Sequence, residues 1–249
     1  MTLFLLILFF SLVGGLFSLL GGVLLLRNDD TRNELFIHLL SFAAGAMLAT
    51  AFLDILPEAA ETGLSMDRLF QWTFGAFIAS FLLEGIFLRF HHHEATHRIT
   101  ATPWLLVVSD SIHNCIDGIA IAAAFLVNVP LGIITALAVA VHEIPQEIGD
   151  FSILLNAGWQ RRKVLLVNIL SSLFAVVGAL LTLALRDTIQ PVVGFFLAMI
   201  GGIFIYIGAS DLVPELYHTT RRDKLTHVTL LFLAGIATIA LALAVLPHE

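Results

Sequence analysis

The sequence contains few charged residues and almost no cysteine. Charged side chains make up 12% of its 249 residues, about half the share found in soluble domains. This shortage of charge excludes a water-soluble core. The single cysteine, Cys115, excludes an internal disulfide framework. The net charge of −7 is spread over short loops, so nothing in it indicates a nucleic-acid partner.

Apolar residues, by contrast, make up 59% of the chain and form eight long runs. Because a helix of about 20 apolar residues crosses a bilayer, eight crossings leave no room for a soluble catalytic domain. Lipid permits only helices or closed β-barrels, and the runs lack the alternation of barrel strands. We predict an all-α, polytopic membrane protein with a single transmembrane domain over residues 1–249. Its eight transmembrane helices are predicted at residues 2–26, 34–60, 67–90, 101–127, 130–155, 161–186, 190–217 and 225–246.

The topology follows from the ends of these runs. The first run is predicted to be a true span rather than a signal peptide, because it is too long and no basic residue precedes it. Ten of the twelve Lys and Arg residues fall in loops on one side, and only Arg68 and Arg186 fall on the other. Basic residues mark cytoplasmic loops, so both termini are predicted to lie outside. Residues 128–130 predict a tight turn, which makes the fourth and fifth spans antiparallel neighbours.

An Asp-x-x-Pro-Glu pattern occurs near the end of two different spans. The matching residues, each pair 157 positions apart, are Gly45, Asp54, Pro57 and Glu58 in the second span and Gly202, Asp211, Pro214 and Glu215 in the seventh. Under the predicted topology these spans run in opposite directions, which gives a 3+2+3 inverted-repeat arrangement around a central pair. Inverted repeats flanking a midplane site are typical of transporters. The alternative is two independent helices that each end at a proline.

Ionisable side chains interrupt the fourth and fifth spans. Each costs about 2.5–3.5 kcal/mol at the bilayer centre, so they must face one another, water or a cation. On helices they form one stripe per span, with Asp110, His113, Asn114 and Asp117 on the fourth and His142, Glu143, Gln146, Glu147 and Asp150 on the fifth. Both stripes can face one cavity. The alternative is a set of buried ion pairs that only holds the two helices together.

These side chains are suitable ligands for a metal ion. Imidazole nitrogens together with carboxylate and amide oxygens suit borderline divalent ions such as Zn²⁺, Fe²⁺ or Mn²⁺. Pro145 lacks an amide hydrogen, so it is predicted to kink the fifth span and to free a carbonyl beside the site. Asp110 is predicted to accept the second ring N–H of His113 and so to fix its tautomer.

The two motifs together resemble the signature of a known family. His-Asn-x-x-Asp-Gly at residues 113–118, followed by His-Glu-x-Pro-x-Glu-x-Gly-Asp at residues 142–150, is similar to the paired motifs of the ZIP (Zrt/Irt-like) family of divalent-metal transporters. The predicted layout matches that family over essentially the whole chain. The resemblance implies uptake of Zn²⁺, or of Fe²⁺, Mn²⁺ or Cd²⁺, toward the cytoplasm. It also implies rocking or elevator-like alternating access and, in many members, a homodimer.

The resemblance further implies which residues bind the ion. It places primary ligands at His113, Asp117, His142 and the position of Gln146, and an adjacent second metal at Asn114, Asp117 and Glu143. Family members commonly have His or Glu where this chain has Gln146. A neutral amide oxygen is a weaker metal ligand than either of these, so Gln146 is predicted to lower the affinity for metal or to broaden the selectivity. Whether the site binds one metal ion or two is left open. The metal is the transported substrate, and no catalytic cofactor is expected.

Several further residues have two interpretations each. Asp54 and Asp211 either line the ion pathway or form hydrogen bonds at helix ends. Glu147 and Asp150 either line the cytoplasmic exit or form hydrogen bonds to neighbouring helices. Met47 either packs in the apolar interior or acts as a soft metal ligand. The cytoplasmic loop at residues 91–98 either binds metal transiently or is simply solvated. Its histidines are His91, His92, His93 and His97.

Two other classes of protein fit parts of the pattern. An intramembrane metalloprotease needs His-Glu-x-x-His, but the fifth position of that match is Gln146. A proton-coupled carrier of an organic substrate more often has a cavity lined by aromatic residues or arginine, whereas no basic residue lies deep in a predicted span. We therefore expect a metal transporter, not an enzyme, in the plasma or inner membrane, with the lipid bilayer and divalent metal ions as its partners.

Overall fold

The computed structural model describes residues 2–24, 29–92, 102–220 and 224–245, and these residues form helices joined by short turns, with no strand among them. This confirms the all-α prediction for those ranges. The elements are α1 (Thr2–Leu24), α2 (Asp29–Thr50), the π-helix π1 (Ala51–Ile55), α3 (Leu56–Glu61), α4 (Met66–His92), α5 (Thr102–Val127), α6 (Val129–Asn156), α7 (Arg161–Ser172), α8 (Phe174–Ala184), α9 (Arg186–Ile189), a 3₁₀ turn (Gln190–Val192), α10 (Val193–Tyr206), the π-helix π2 (Ile207–Leu212), α11 (Val213–Thr219) and α12 (Leu225–Val245).

Six helical stretches within these ranges are long and apolar enough to cross a membrane. They are Phe36–Glu61, Leu106–Val127, Val129–Leu155, Arg161–Ala184, Arg186–His218 and Leu225–Val245. The first predicted span contains a shorter apolar helix, Leu3–Gly15, and the third coincides with α4. All eight predicted segments are thus helical where described, and the count of eight crossings stays a prediction.

The second, sixth and seventh predicted spans are not continuous α-helices. π1 and π2 interrupt the second and seventh, and a turn at Leu173 separates α7 from α8 in the sixth. Pro57 and Pro214 both fall at the start of the α-helix that follows a π-helix, where a missing N–H costs little. The seventh span begins with the short turns of residues 186–192 before α10 starts.

The connection between α5 and α6 is a single residue, as the predicted tight turn required. Asn128 has extended backbone, and its side chain accepts a hydrogen bond from the Leu131 N–H and so caps α6. Its amide group also donates to Glu58, at 2.9 Å, which ties this turn to α3. Because the two helices reverse direction at one residue, they pack as antiparallel neighbours and bring their polar stripes together.

Four other helix pairs make the most extensive long-range contacts: α1 with α6, α5 with α8, α2 with α12, and α4 with α10. Glycine allows the last three to approach to backbone contact. A Cβ added to Gly45 on α2 would lie 2.0 Å from a carbonyl oxygen of α12, and one added to Gly202 on α10 would lie 2.1 Å from a carbonyl oxygen of α4. Gly118 on α5 and Gly178 on α8 make a reciprocal contact of the same kind.

The 157-residue sequence offset has a structural counterpart. π1 ends at Ile55 and π2 ends at Leu212, the position 157 residues later. Gly45 and Gly202 are also a matching pair, and each packs its helix against a partner helix. Because π-helices are rare, their occurrence at matching positions strengthens the case for two related halves.

Candidate metal centre

The polar stripes of α5 and α6 meet in a buried group of four side chains. His113 and Asp117 from α5 and His142 and Glu143 from α6 each offer one nitrogen or oxygen atom, and these atoms all lie within 4.8 Å of one another. His113 and Asp117 lie on one face of α5, because residues four positions apart are neighbours on a helical surface. His142 and Glu143 are consecutive on α6, and both are buried where α6 faces α5. The antiparallel packing of the two helices supplies the rest of the geometry.

The distances within this group suit a tetrahedral ion. His113 Nε2 lies 3.3 Å from both His142 Nε2 and Glu143 Oε1. Asp117 Oδ2 lies 3.7 and 3.4 Å from the two imidazole nitrogens, and His142 Nε2 lies 3.8 Å from Glu143 Oε1. These are five of the six separations in the group, and the sixth, between Asp117 and Glu143, is within 4.8 Å. A regular tetrahedron with edges of the size of the five has its centre about 2.0–2.3 Å from each corner, close to the zinc–nitrogen and zinc–oxygen bond lengths of proteins.

The tautomer of His142 is set by its own helix. Its Nδ1 lies 3.1 Å from the backbone carbonyl oxygen of Ala138, which can only accept, so Nδ1 carries the proton and donates it. Nε2 is left with a lone pair that faces the other three side chains. A histidine prepared in this way is typical of metal sites.

Burial makes the carboxylates of this group costly without a cation. His142 and Glu143 are fully buried, Asp117 is almost so, and the side chain of His113 is 23% exposed. Asp117 Oδ2 and both Glu143 oxygens accept no hydrogen bond from the described part of the chain. Buried polar groups in proteins are nearly always satisfied, so these oxygens are suitable ligands for an ion.

A second acidic group adjoins the first and shares Glu143 with it. Oxygen atoms of Asp110, Glu143 and Glu147 lie within 4.8 Å of one another, and all three residues are buried. Within the described residues neither carboxylate oxygen of Glu147 accepts a hydrogen bond. Asp150 is also buried, and its charge interacts with those of Asp110 and Glu143. The acids therefore continue along α6 beyond the four-residue group.

Asp110 makes different bonds from those predicted. Its Oδ1 accepts from the Asn114 amide at 3.1 Å, and its Oδ2 accepts from the Ser171 hydroxyl on α7. The prediction that Asp110 accepts the second ring N–H of His113 is therefore wrong, because both carboxylate oxygens are directed to other donors. Sequence reasoning missed Ser171, and the only signal for it was a short polar face on an otherwise apolar span.

The remaining predicted residues lie in varied surroundings. Gln146 is partly buried on α6, Met47 is fully buried in the main apolar cluster, and Asp54 is buried within π1. Asp211 in π2 is exposed rather than deep, although its charge interacts with that of His113. Pro145 is buried inside α6. The loop prediction for His91, His92, His93 and His97 lies outside the described side chains.

Two aromatic residues of α10 also escaped the sequence reasoning. The Phe204 ring lies 6.2 Å from the His142 ring, centroid to centroid, and packs against it at a steep angle. The Tyr206 hydroxyl donates to the carboxylate of Glu84 on α4, a residue that the sequence alone gave no partner. Aromatic residues in an apolar span carry no signal that separates such contacts from ordinary packing.

Comparison with known proteins identifies the family. The family model for the ZIP zinc transporter matches residues 90–243. Zinc transporter ZIP13 of Pongo abelii is 30% identical over 218 residues, which cover 82% of this chain and 66% of that protein. Zinc transporter ZIP10 of Danio rerio is 38% identical over 120 residues, 48% of this chain and 14% of its own length. The chain thus spans a small part of ZIP10 and just under two thirds of ZIP13. It belongs to the ZIP zinc transporter family, a family of transporters rather than enzymes, and is an integral membrane protein.

Proposed function

We propose that the protein transports divalent transition-metal ions across the membrane into the cytoplasm, with Zn²⁺ as the preferred ion and Fe²⁺, Mn²⁺ and Cd²⁺ as possible substrates. The observation that carries this proposal is the four-residue group, in which two imidazole nitrogens and two carboxylate oxygens are spaced as the corners of a zinc-sized tetrahedron. The similar proteins ZIP13 and ZIP10 are named zinc transporters.

Charge on the two central helices supports a cationic cargo. No Lys or Arg occurs between Arg98 and Arg161, a stretch that contains both α5 and α6 and five acidic residues. In a site of low dielectric constant these carboxylates cannot all remain ionised without positive charge nearby. A divalent ion supplies that charge and loses its water to the same ligands, whereas acidic solution competes for them.

The second acidic group gives the ion a place to move. We propose that the ion enters past Asp54, binds the four-residue group, and then passes to Asp110 and Glu147 through the shared Glu143. From there it leaves along α6 past Asp150. Asn114 and Gln146 add neutral oxygens beside these acids, so a second metal bound next to the first is part of the proposal.

Helix packing is compatible with alternating access. One set of contacts links α1, α5, α6, α7 and α8, another links α2, α4, α10 and α12, and the two sets meet mainly between α2 and α6. We propose that the first set, which carries the metal ligands, moves against the second, with eight spans in a 3+2+3 inverted arrangement and both termini outside. A homodimer in the plasma or inner membrane completes the proposed assembly, and histidines of the 91–98 loop receive the ion.

Flux into liposomes tests this function. Liposomes that contain the protein and enclose a fluorescent metal indicator should take up Zn²⁺. Asp117→Asn should reduce the initial rate of Zn²⁺ uptake by about tenfold or more, because it removes a charged ligand. Asp67→Asn, at the exposed start of α4, is the matched control and should behave as wild type. Absence of Zn²⁺, Cd²⁺, Fe²⁺ and Mn²⁺ flux above empty vesicles would refute transport, and equal rates for the two variants would refute the site.

A further inference from the structure

Ser171 links a helix outside the central pair to the polar stripe of α5. Its hydroxyl lies in hydrogen-bond contact with Asp110 Oδ2, and the other oxygen of the same carboxylate accepts from Asn114. All three residues are at most 3% exposed. The three side chains therefore form one continuous chain of hydrogen bonds from α7 to α5, with Asn114 at its inner end.

The direction of the Asn114 amide follows from this chain. Its Nδ2 lies 3.1 Å from Asp110 Oδ1 and 3.1 Å from the Asp110 backbone oxygen. Both partners can only accept hydrogen bonds, so the NH₂ end must face them and the flipped orientation would set oxygen against oxygen. The amide oxygen is thus turned away from the Asp110 oxygens that its NH₂ group contacts.

Ser171 is itself held in place. Its Oγ lies 3.1 Å from the backbone oxygen of Asn168, one turn back on α7, which restricts its rotamer. Of the two acceptors the carboxylate forms the stronger bond, because one partner carries a charge. Ser171 therefore holds the Asp110 carboxylate in one rotamer, and the carboxylate holds the amide. Without the hydroxyl, Asp110 Oδ2 loses this donor and the carboxylate can adopt other rotamers.

We propose that Ser171 is a positioning residue that aims the amide oxygen of Asn114 at the metal centre by way of Asp110. This inference rests on the proposed transport function, and it adds a residue of the sixth predicted span to the determinants of metal affinity. Loss of a group that orients a metal ligand typically lowers affinity by about 10–100-fold. Ser171 acts through an intermediate carboxylate, so we expect a change near the lower end.

A double-mutant cycle on Zn²⁺ uptake into liposomes tests the proposal. Ser171→Ala should raise KM about tenfold and leave Vmax nearly unchanged, whereas Ser171→Thr, which keeps the hydroxyl, should restore the wild-type KM. In an Asn114→Ala background Ser171→Ala should have no further effect, because the group it positions is gone. Ser172→Ala is the matched control, since that hydroxyl bonds only the Ile169 carbonyl oxygen of its own helix in the described structure.

The outcomes separate this proposal from the transport function. A wild-type protein without metal flux refutes transport itself. If the wild type transports Zn²⁺, then an unchanged KM for Ser171→Ala, additive effects in the cycle, or failure of threonine to rescue each overturns the positioning role. If the alanine variant does not fold, Ser171→Cys replaces it in the test, because a thiol has a similar volume but donates only a weak hydrogen bond. The cysteine variant must then raise KM for the proposal to stand.

Discussion

Gly118, which follows Asp117 on α5, packs directly against the backbone of α8. A Cβ added there would lie 1.8 Å from the carbonyl oxygen of Ala175, and one added to Gly178 would lie 2.0 Å from that of Cys115. Ordinary contact begins near 3.4 Å. The Gly118→Ala substitution therefore requires a local separation of about 1.6 Å between two helices whose backbones now touch.

We expect Gly118→Ala to destabilise the protein. Forcing atoms into a packed interface typically costs about 1–3 kcal/mol, and more when backbone must move. We expect the upper end, because the obstacle is a carbonyl group and not a flexible side chain. For a chain of this size each kcal/mol lowers the melting temperature by about 2–4 °C, so a loss of about 6–12 °C follows. The movement also displaces Asp117, so the rate of Zn²⁺ uptake should fall.

Gly149→Ala is the matched control for this experiment. Gly149 also lies within a central helix, α6, but nothing lies within 4 Å of its added Cβ. The melting temperature of each detergent-purified variant, followed by loss of the monodisperse peak in size-exclusion chromatography after heating, measures the effect. Equal melting temperatures for Gly118→Ala and Gly149→Ala would refute the argument from close packing.

Two further predictions concern other parts of the structure. Gln146→His replaces a neutral oxygen with a stronger nitrogen ligand. Competition uptake assays should therefore show a higher Zn²⁺ affinity and an altered metal preference, and an unchanged order of metal preference would contradict the role given to Gln146. Asn128→Ala removes both the cap of α6 and the bond to Glu58, so the melting temperature should fall by an amount corresponding to about 1–2 kcal/mol. Asn128→Ser keeps an acceptor for the Leu131 N–H without placing a second carboxylate beside Glu58, so it should retain more stability than alanine, and equal losses would exclude the cap as the cause.

Helix positions could be predicted from the sequence, because a long, continuously apolar segment in lipid satisfies its backbone hydrogen bonds by forming a helix. The runs at 101–127 and 130–155 correspond to helices α5 and α6 to within one residue at each end. The tight turn was also predictable, since Asn128 and Pro130 both favour a break followed by a new helix. Such local signals do not depend on the rest of the fold.

Interruptions within helices could not be predicted. The segment that forms π1 contains no glycine, and its proline follows two residues after its end. The turn at Leu173 lies between apolar neighbours. Both π-helices contact helices that are distant in sequence, π1 with α10 and π2 with α2. Periodicity in one segment contains no information about them.

The polar residues of the candidate site also include some whose arrangement could be predicted from the sequence and some whose partners could not. The one-face spacing of His113 with Asp117 and of His142 with Gln146 was visible in the sequence, because it needs only helix geometry. The partner of Asp110 was not, because Ser171 is 61 residues away in the chain. His113 was predicted as its partner because a carboxylate one turn away commonly accepts the second ring N–H of a metal-binding histidine, whereas the observed local partner is Asn114.

The matching π-helices bear on the history of the chain. A π-helix holds one residue more per hydrogen-bonded turn than an α-helix, so the second and seventh predicted spans each contain an excess residue in a π-helix that ends at the same place relative to its Asp-x-x-Pro-Glu pattern. Two separate origins would require the same uncommon event twice. The simpler history is that one ancestral segment acquired the extra residue first and was then duplicated. On this account the interrupted helix is older than the chain in which it now occurs twice.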